Sequence, residues 1–163
     1  MKVSIITATY NSAESIKSSM DSVLNQNYNN IEHLIIDGKS SDNTLLIIKE
    51  LANNFNEVQL FSEKDKGIYD ALNKGIKLSN GDVLGFVHSD DLLASPLIIS
   101  EIVEKISKEN LDGVYGKLNY VQKSNVNKIV RKWQSNDFDY DLLKKGWMPA
   151  HPTFFVKRNI YKM

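Results

Sequence analysis

The stretch Gly81-Asp82-Val83-Leu84-Gly85-Phe86-Val87-His88-Ser89-Asp90-Asp91 decides the fold, because an apolar run ends in two adjacent carboxylates. Residues 83–87 are apolar enough for a buried strand, so the aspartates mark the point where that strand reaches solvent. Neighbouring carboxylates repel each other unless a cation, a donor or water compensates. Mg²⁺ and Mn²⁺ prefer such oxygen ligands. The alternative is that Asp90 and Asp91 only cap the following helix, a common use of aspartate.

Before this stretch, short runs of strand-forming residues alternate with helical patterns, which is typical of βαβ units. The pattern predicts strands over residues 2–8, 31–37, 57–61 and 82–88. Helices are predicted to open at Ser12, at Ser41 or Asp42, and at Ile68, the last of them stopped by Asn80-Gly81. The expected fold class is therefore α/β with a mostly parallel central sheet.

After Asp91 the alternation changes. Ser95-Pro96 is typical of a helix start, with proline at the first helical position. Two strands joined by a polar loop at Ser124-Asn125 predict an antiparallel addition after the Asp-Asp motif. The predicted elements of this half are strands over residues 113–122, 128–134 and 153–156 and a short helix over residues 140–145.

Length and composition predict one soluble domain. A chain of 163 residues can bury about 70% of its unfolded surface. Its 20 basic and 20 acidic side chains balance, which gives no overall field to attract nucleic acid or anionic lipid. The lack of cysteine excludes disulfides and zinc–thiolate sites. Neither a secretion signal nor an apolar run of about 20 residues is present, so we expect a cytoplasmic location.

Polar residues follow each of the first four predicted strands. Ligands of open parallel sheets bind outside the carboxyl ends of the strands, so these residues are expected to line one cleft. An aromatic ring at a strand tip could flank a base, and a carboxylate could accept hydrogen bonds from a base or ribose. The glycine-rich signatures of dinucleotide sites and P-loops are absent. The polar segments are residues 9–11, 37–44, 63–67 and 89–91.

The three histidines are too far apart in sequence for a metal-binding motif. His33 lies within the second predicted strand and is interpreted as structural. His88 lies beside the two aspartates, and His151 lies in Pro149-Ala150-His151-Pro152-Thr153. These two remain candidates for the same cleft.

Taken together, the motifs resemble those of family 2 glycosyltransferases with the GT-A fold, and the resemblance covers nearly the whole chain. It rests on four blocks in order: residues 3–11, 36–44, 65–76 and 81–91. It implies a Rossmann-like three-layer sandwich and transfer, with inversion, of a sugar from a nucleotide-diphosphate donor. The third block and residues 151–155 resemble the bacterial branch that builds capsule, exopolysaccharide or lipopolysaccharide O-chains.

The resemblance also implies roles for single residues. Asp91 would bind Mg²⁺ or Mn²⁺ as the last acid of a D-x-D-like motif, and Asp90 would contact the ribose or the sugar. Tyr10 would lie against the base, and Asp37 would hydrogen-bond to it. The residues implied in donor-nucleotide binding are Ala8, Thr9, Tyr10, Asp37, Asp65, Lys66 and Asp90.

Two positions depart from the usual pattern of the family. Asp37-Gly38-Lys39-Ser40 stands where Asp-Asp-Gly-Ser is commoner, so a second carboxylate is missing and Lys39 is placed near phosphate. His88 stands where Asn is commoner, and it either contacts the donor sugar or only packs. His88, Trp147 and His151 are assigned to the acceptor or phosphate side, with core packing as the alternative for Trp147.

The chain is expected to be one GT-A domain truncated at its C-terminus. Residues 1–92 form the nucleotide-sugar-binding half, and residues 93–163 begin the acceptor-binding half. The resemblance places the general base, which takes the proton of the acceptor hydroxyl, beyond Met163. Asp137, Asp139 and Asp141 are interpreted as helix-start acids on a solvated face. The catalytic base is therefore not assigned to any residue of this chain.

The function that follows is sugar transfer from a nucleotide-diphosphate donor, with UDP-sugar favoured, to a saccharide or lipid-linked acceptor. A lipid-linked acceptor would bring the protein to the inner face of the membrane without spanning it. The alternative is a non-catalytic nucleotide-sugar-binding module, or an inactive fragment that lacks the base. The sequence does not indicate an oligomeric state.

Overall fold

The central sheet forms from the apolar runs of the sequence. The structure is a computed structural model and describes residues 1–161. The strand bounds are Val3–Thr9 (β1), Ile31–Asp37 (β2), Val58–Ser62 (β3), Val83–Phe86 (β4), Gly113–Val114 (β5), Leu118–Gln122 (β6), Asn125–Trp133 (β7) and Phe155–Lys157 (β8). Strands β1 and β4 are buried along their whole length, as expected for the middle of a sheet.

Helices α1 to α4 are amphipathic and bury an apolar face, whereas the short α5 buries no residue. Their bounds are Ile16–Leu24 (α1), Thr44–Ala52 (α2), Ile68–Leu78 (α3), Ile98–Glu109 (α4) and Tyr140–Lys144 (α5), with 3₁₀ turns at His151–Thr153 and Arg158–Tyr161. Within residues 1–161, no helix combines the length and the apolar character that crossing a bilayer requires.

The main sheet has six strands in the order β3-β2-β1-β4-β8-β5. The first four are parallel, and their register places Thr9 opposite Asp37 and Asp37 opposite Ser62. Strand β8 runs antiparallel to β4 and β5, and β6 and β7 form a separate antiparallel hairpin. The predicted α/β class, the mostly parallel sheet and the antiparallel addition are confirmed.

Alternating side chains of β1 and β2 divide the core between two faces of the sheet. Ile6 and Leu34 point to α3 and pack with Leu72. On the opposite face Ile35 packs against α1 and α2, and Ile5 belongs to the cluster formed with α4. Helices therefore cover both sides of the sheet and give three layers.

The strand order reverses at β1. The chain moves from β1 to β2 to β3 in one direction and then returns through α3 to place β4 on the other side of β1. Such a reversal opens a crevice at the carboxyl ends of the two strands that flank it, and ligands of open α/β sheets bind there. The residues that follow β1 and β4 are therefore expected to line this crevice.

Three predicted helix starts were wrong by a few residues, and the second helix begins at Thr44 instead of at Ser41 or Asp42. Helix α1 begins at Ile16, because the Ser12 hydroxyl bonds to Ser89 and its backbone N–H to Thr44 instead of capping a first turn. Helix α4 begins at Ile98, two residues after Pro96. This late start excludes a capping role for Asp90 and Asp91, which lie in a turn well before the helix.

Candidate functional site

Asp37 organises the loop that follows β2. Its carboxylate is fully buried and accepts hydrogen bonds from the backbone N–H groups of Lys39 and Ser40 and from the hydroxyls of Ser40 and Ser62. Lys39 adopts a left-handed conformation with φ of 66°, which this network holds in place. These four donors occupy both carboxylate oxygens. A hydrogen bond from a nucleotide base to Asp37 would therefore have to replace one of the four donors.

The loops after β1, β2 and β3 meet around Gly38. A methyl group built on Gly38 would lie 2.7 Å from Asp65 Oδ2 and 3.4 Å from Tyr10 Cδ2. Asp65 is half-buried and accepts the Gly67 N–H at 2.9 Å, whereas Tyr10 is 63% exposed. An exposed ring and a carboxylate therefore lie side by side at the carboxyl edge of the sheet.

Two further predicted donor-site residues lie at the margins of this pocket. Ala8 is buried in the core beside α3 and can offer only backbone to a ligand. Lys66 is exposed, and its backbone N–H donates to Asp70 at the start of α3. Tyr10, Gly38 and Asp65 are therefore the predicted residues that meet at this edge of the sheet.

Thr9 supplies a polar atom without a partner. It ends β1 opposite Asp37, is 5% exposed, and its hydroxyl makes no hydrogen bond to any residue in the described part of the chain. Buried hydroxyls are nearly always bonded, so an orphan at a strand end indicates a missing polar partner. A ligand in the cleft could supply that partner.

Asp90 and Asp91 lie in the turn after β4, on the other side of the crevice. The turn is closed by a hydrogen bond from the Asp91 N–H to the His88 carbonyl at 3.0 Å. It is attached to the start of α1, where Ser12 Oγ lies 2.9 Å from Ser89 Oγ and Ser19 Oγ donates to the His88 carbonyl. The acidic turn is thus fixed against the loop that carries Tyr10.

The environment of Asp91 does not favour its ionised form. Burial raises the pKa of Asp91, repulsion from Asp90 adds to the rise, and His88 opposes it. Within residues 1–161 neither aspartate forms an ion pair with a lysine, arginine or histidine. A cation bound between this carboxylate and a ligand would offset both the desolvation of the ionised Asp91 and its repulsion from Asp90.

His88 and His151, separated by 62 residues in sequence, meet beside this turn. Their Nε2 atoms lie 2.9 Å apart, so one ring donates a proton that the other accepts. Burial lowers the pKa of His88, and His151 adds to this while Asp91 and Asp90 oppose it. The Nδ1 atom of His88 is buried without a partner among the described residues. The predicted grouping of these histidines near the aspartates agrees with this geometry.

Trp147 belongs to an aromatic cluster. Its ring packs edge-on against Tyr115 with centroids 5.7 Å apart, and Tyr115 also packs against Phe154. Trp147 is half-buried, so the packing alternative describes its contacts in this structure. Its role on the acceptor side stays a prediction.

His33 is structural, as predicted. It is fully buried in β2, and its Nε2 lies 2.9 Å from Thr7 Oγ1. The Thr7 hydroxyl donates its only proton to the Val87 carbonyl, so His33 must donate from Nε2. This chain of bonds ties β2 to β1 and to the end of β4.

The donor set at the acidic turn fits a hard divalent cation. Asp91 offers a half-buried carboxylate with no cationic partner in the described chain, and imidazole nitrogen lies nearby. No three acidic, histidine or cysteine side chains within residues 1–161 are already arranged around one point. Mg²⁺ and Mn²⁺ are commonly held by one or two carboxylates with phosphate oxygens and water completing the shell, so a partial set is sufficient.

Sequence reasoning missed the loop contacts that build the site. Ser12, Ser19 and Ser62 each bond to a residue of the cleft, and nothing in their sequence positions distinguishes them from other serines. Asn11 was included in the first block but without a role, and its side chain accepts the Ser41 N–H. Asn11 adopts a left-handed backbone conformation with φ of 49°. Asparagine tolerates this conformation better than most residues, so the residue type at position 11 was the sequence signal for a tight loop here.

Comparison with known proteins places this geometry in a family. The model of glycosyl transferase family 2 matches residues 4–162, so the chain belongs to the family 2 glycosyltransferases. A PGL/p-HBAD biosynthesis glycosyltransferase of Mycobacterium bovis is 31% identical over 160 residues, covering 97% of this chain and 60% of the relative. A dolichyl N-acetyl-α-D-glucosaminyl phosphate glucuronosyltransferase of Methanococcus voltae is 37% identical over 134 residues, covering 75% and 40%.

Solved structures confirm the GT-A fold. Staphylococcus aureus TarS 1–349 with UDP-GlcNAc has a TM-score of 0.80 at 22% identity, covering 99% of this chain and 47% of the TarS 1–349 chain. The mannosyltransferase PcManGT of Pyrobaculum calidifontis with GDP-Man and Mn²⁺ has a TM-score of 0.73 at 19% identity, covering 99% and 46%. The chain spans only about 40–60% of the length of the curated relatives that it matches.

The predicted position of the general base, beyond Met163, lies outside the described residues. Two of the three acids of the second half lie at a helix start, as predicted. Asp139 caps α5 by accepting the Asp141 N–H, Asp141 pairs with Lys144 at 2.8 Å, and Asp137 is exposed. Asp139 and Asp141 therefore serve the start of a short helix.

Proposed function

We propose that this chain is the donor-binding part of a glycosyltransferase that moves a sugar from a nucleotide diphosphate to a saccharide or lipid-linked acceptor with inversion. The observation that carries the proposal is the half-buried carboxylate of Asp91, which forms no ion pair within residues 1–161 and lies across a strand-order reversal from Tyr10, Gly38 and Asp65. Relatives bound to UDP-GlcNAc and GDP-Man support a nucleotide sugar as the donor. UDP is the donor nucleotide that we favour.

The pocket supports a division of roles along the donor. Tyr10 would stack on the base, Asp65 would accept hydrogen bonds from the base or ribose, and Lys66 would lie along the same side. The orphan hydroxyl of Thr9 would bond to the nucleotide. Asp90 would contact the ribose or sugar. Residues 1–92 would thereby hold the donor, and residues 93–163 would begin the acceptor half.

In the proposed reaction the acceptor hydroxyl attacks the anomeric carbon from the face opposite the diphosphate. The new glycosidic bond forms as the bond between the sugar and the diphosphate breaks, and the hydroxyl proton passes to a general base. A divalent cation held by Asp91, Mg²⁺ or Mn²⁺, would stabilise the negative charge that develops on the departing diphosphate. His88 and His151 would lie on the phosphate or acceptor side of this centre.

The general base is not assigned to any of the described residues. Asp139 and Asp141 are bound at the start of α5, so we expect residues 1–163 alone to bind the donor and to turn it over poorly. Robust transfer by this chain in an assay with several nucleotide sugars would contradict that expectation. A non-catalytic nucleotide-sugar-binding module would bind equally well but would fail to transfer even as a longer chain with an acidic residue in the expected position.

Calorimetric titration with UDP, GDP and dTDP, each with and without MnCl₂, tests the donor site. We expect Mn²⁺ to tighten binding of at least one nucleotide, and Asp91→Asn to remove that gain because the amide does not carry the charge that the cation needs. Asp137→Asn, a matched change of an exposed acid, should leave the gain intact. If Asp91→Asn keeps undiminished manganese-assisted affinity for every nucleotide, the proposal is refuted.

A further inference from the structure

The β6–β7 hairpin is basic and apolar, and it is exposed along its length apart from its base, with the Lys123–Glu14 ion pair as a contact to the main domain. Leu118 and Trp133, paired at its base, are half-buried, and every residue from 119 to 132 is exposed. A two-stranded hairpin is marginally stable in water by itself, so a hairpin of this kind normally packs against another surface. Its exposed apolar side chains include Tyr120, Val121, Val126, Ile129 and Val130.

Charge on this hairpin is of one sign. Residues 113–136 contain five basic residues and no acidic one, although the whole chain is neutral. Lys123 pairs with Glu14 of the main domain, whereas the other four form no ion pair within residues 1–161. The nearest acids in sequence lie outside the segment, at Asp112 and Asp137. The basic residues are Lys117, Lys123, Lys128, Arg131 and Lys132.

The aromatic residues and the arginine of this surface support one another. The Arg131 guanidinium lies 5.4 Å from the ring centroids of both Tyr120 and Trp133. Arg131 therefore helps to hold the shape of the hairpin, and Lys128 and Lys132 are the basic residues of β7 free of such contacts. These two lysines can be changed without disturbing the aromatic pair.

We propose that the β6–β7 hairpin docks on an anionic lipid bilayer. The strand register places Lys132 on the same face of the hairpin as Val121 and Ile129, and Tyr120, Arg131 and Trp133 on the opposite face. A lysine among aliphatic side chains fits the headgroup region, where lysine meets lipid phosphate and the apolar groups enter the acyl boundary. A second copy of the hairpin would oppose like charges, and a nucleic acid would leave the valines and Ile129 in water. The proposal concerns a surface separate from the donor site and stands independently of it.

Co-sedimentation of the whole 163-residue protein with vesicles tests this proposal. Vesicles of phosphatidylglycerol and phosphatidylcholine should bind the protein, and vesicles of phosphatidylcholine alone should not. Each lysine near an anionic surface strengthens partition about fivefold, so Lys128→Gln/Lys132→Gln should weaken it by about 25-fold. Lys49→Gln/Lys77→Gln, which removes two exposed helix lysines elsewhere, is the matched control and should bind like wild type.

Circular dichroism and thermal unfolding verify that both double variants are folded. Absence of binding to the anionic vesicles, or equal loss in both double variants, overturns the proposal. Self-association in sedimentation velocity that Lys128→Gln/Lys132→Gln abolishes, without vesicle binding, overturns it in favour of a second copy. Binding to single-stranded DNA without vesicle binding overturns it in favour of a nucleic acid.

Discussion

Replacing Gly38 with alanine tests whether the donor pocket depends on the close approach of two loops. The added methyl group would lie 2.7 Å from Asp65 Oδ2, well inside van der Waals contact. The Asp65 carboxylate therefore has to move, although its other oxygen is held by the Gly67 N–H at 2.9 Å. Gly38→Ala is thus a small change at one loop that displaces a carboxylate on another.

We expect Gly38→Ala to weaken nucleotide binding more than it lowers the free energy of unfolding. A hydrogen bond to a charged group contributes about 1.5–3 kcal/mol, so loss of a nucleotide contact to Asp65 should raise the Kd for UDP about 10- to 100-fold. Asp65 lies on a partly exposed loop, so the free energy of unfolding should fall by about 1 kcal/mol or less. The two quantities are measured by calorimetric titration and urea unfolding.

Gly116→Ala is the matched control, because its added methyl group meets no atom closer than 4.0 Å. A second comparison uses the Asp65→Ala background, in which Gly38→Ala should cost little further affinity. Unchanged UDP affinity in Gly38→Ala refutes the reasoning. An equal loss in both backgrounds would show that the methyl group acts through Tyr10 instead.

Three further predictions concern stability. Burial lowers the pKa of His33 to about 3, below the value of about 6.5 in the unfolded chain, so only the unfolded chain gains a proton between these values. The free energy of unfolding should therefore fall by about 1.4 kcal/mol per pH unit below about pH 6.5, and His33→Gln should show a shallower slope in urea titrations. Gly85→Ala places a methyl group 2.0 Å from Cε1 of the buried Phe155 ring and should cost about 1–3 kcal/mol or more; an unchanged Tm would contradict this. Glu32→Gln removes a buried carboxylate bonded by Ser4 and by the Gly81 N–H, and should cost about 2–3 kcal/mol while UDP affinity, measured by titration, stays the same.

Elements with a strong local pattern were predictable. The bounds of α3 agree with the sequence prediction, since Ile68, Leu72 and Ile76 repeat at helical spacing and Asn80-Gly81 ends the run. Strand β2 agrees likewise over residues 31–37. The start of α1 was wrong because Ser12, a good N-cap by residue type, is used in a contact with Ser89, 77 residues away.

The sequence predicted which residues gather at the carboxyl edge of the sheet, but not the contacts that they make there. The polar segments after β1 to β4 do converge, because parallel strands bring their carboxyl ends together. The pairing of His88 with His151 depends on how β8 returns beside β4, which residue types do not encode locally. The saturation of Asp37 by four donors likewise depends on loop geometry.

Asp37 changes how a mutational scan of this protein should be understood. Its carboxylate stabilises the turn that presents Gly38 and Lys39 to the crevice, because it accepts hydrogen bonds from the backbone of that turn. Alanine at this position would loosen the turn and lower donor affinity even if the nucleotide never touches the carboxylate. Loss of activity in such a variant would then reflect a distorted turn. Measuring the melting temperature of the same variant would distinguish a distorted turn from the loss of a direct contact with the ligand.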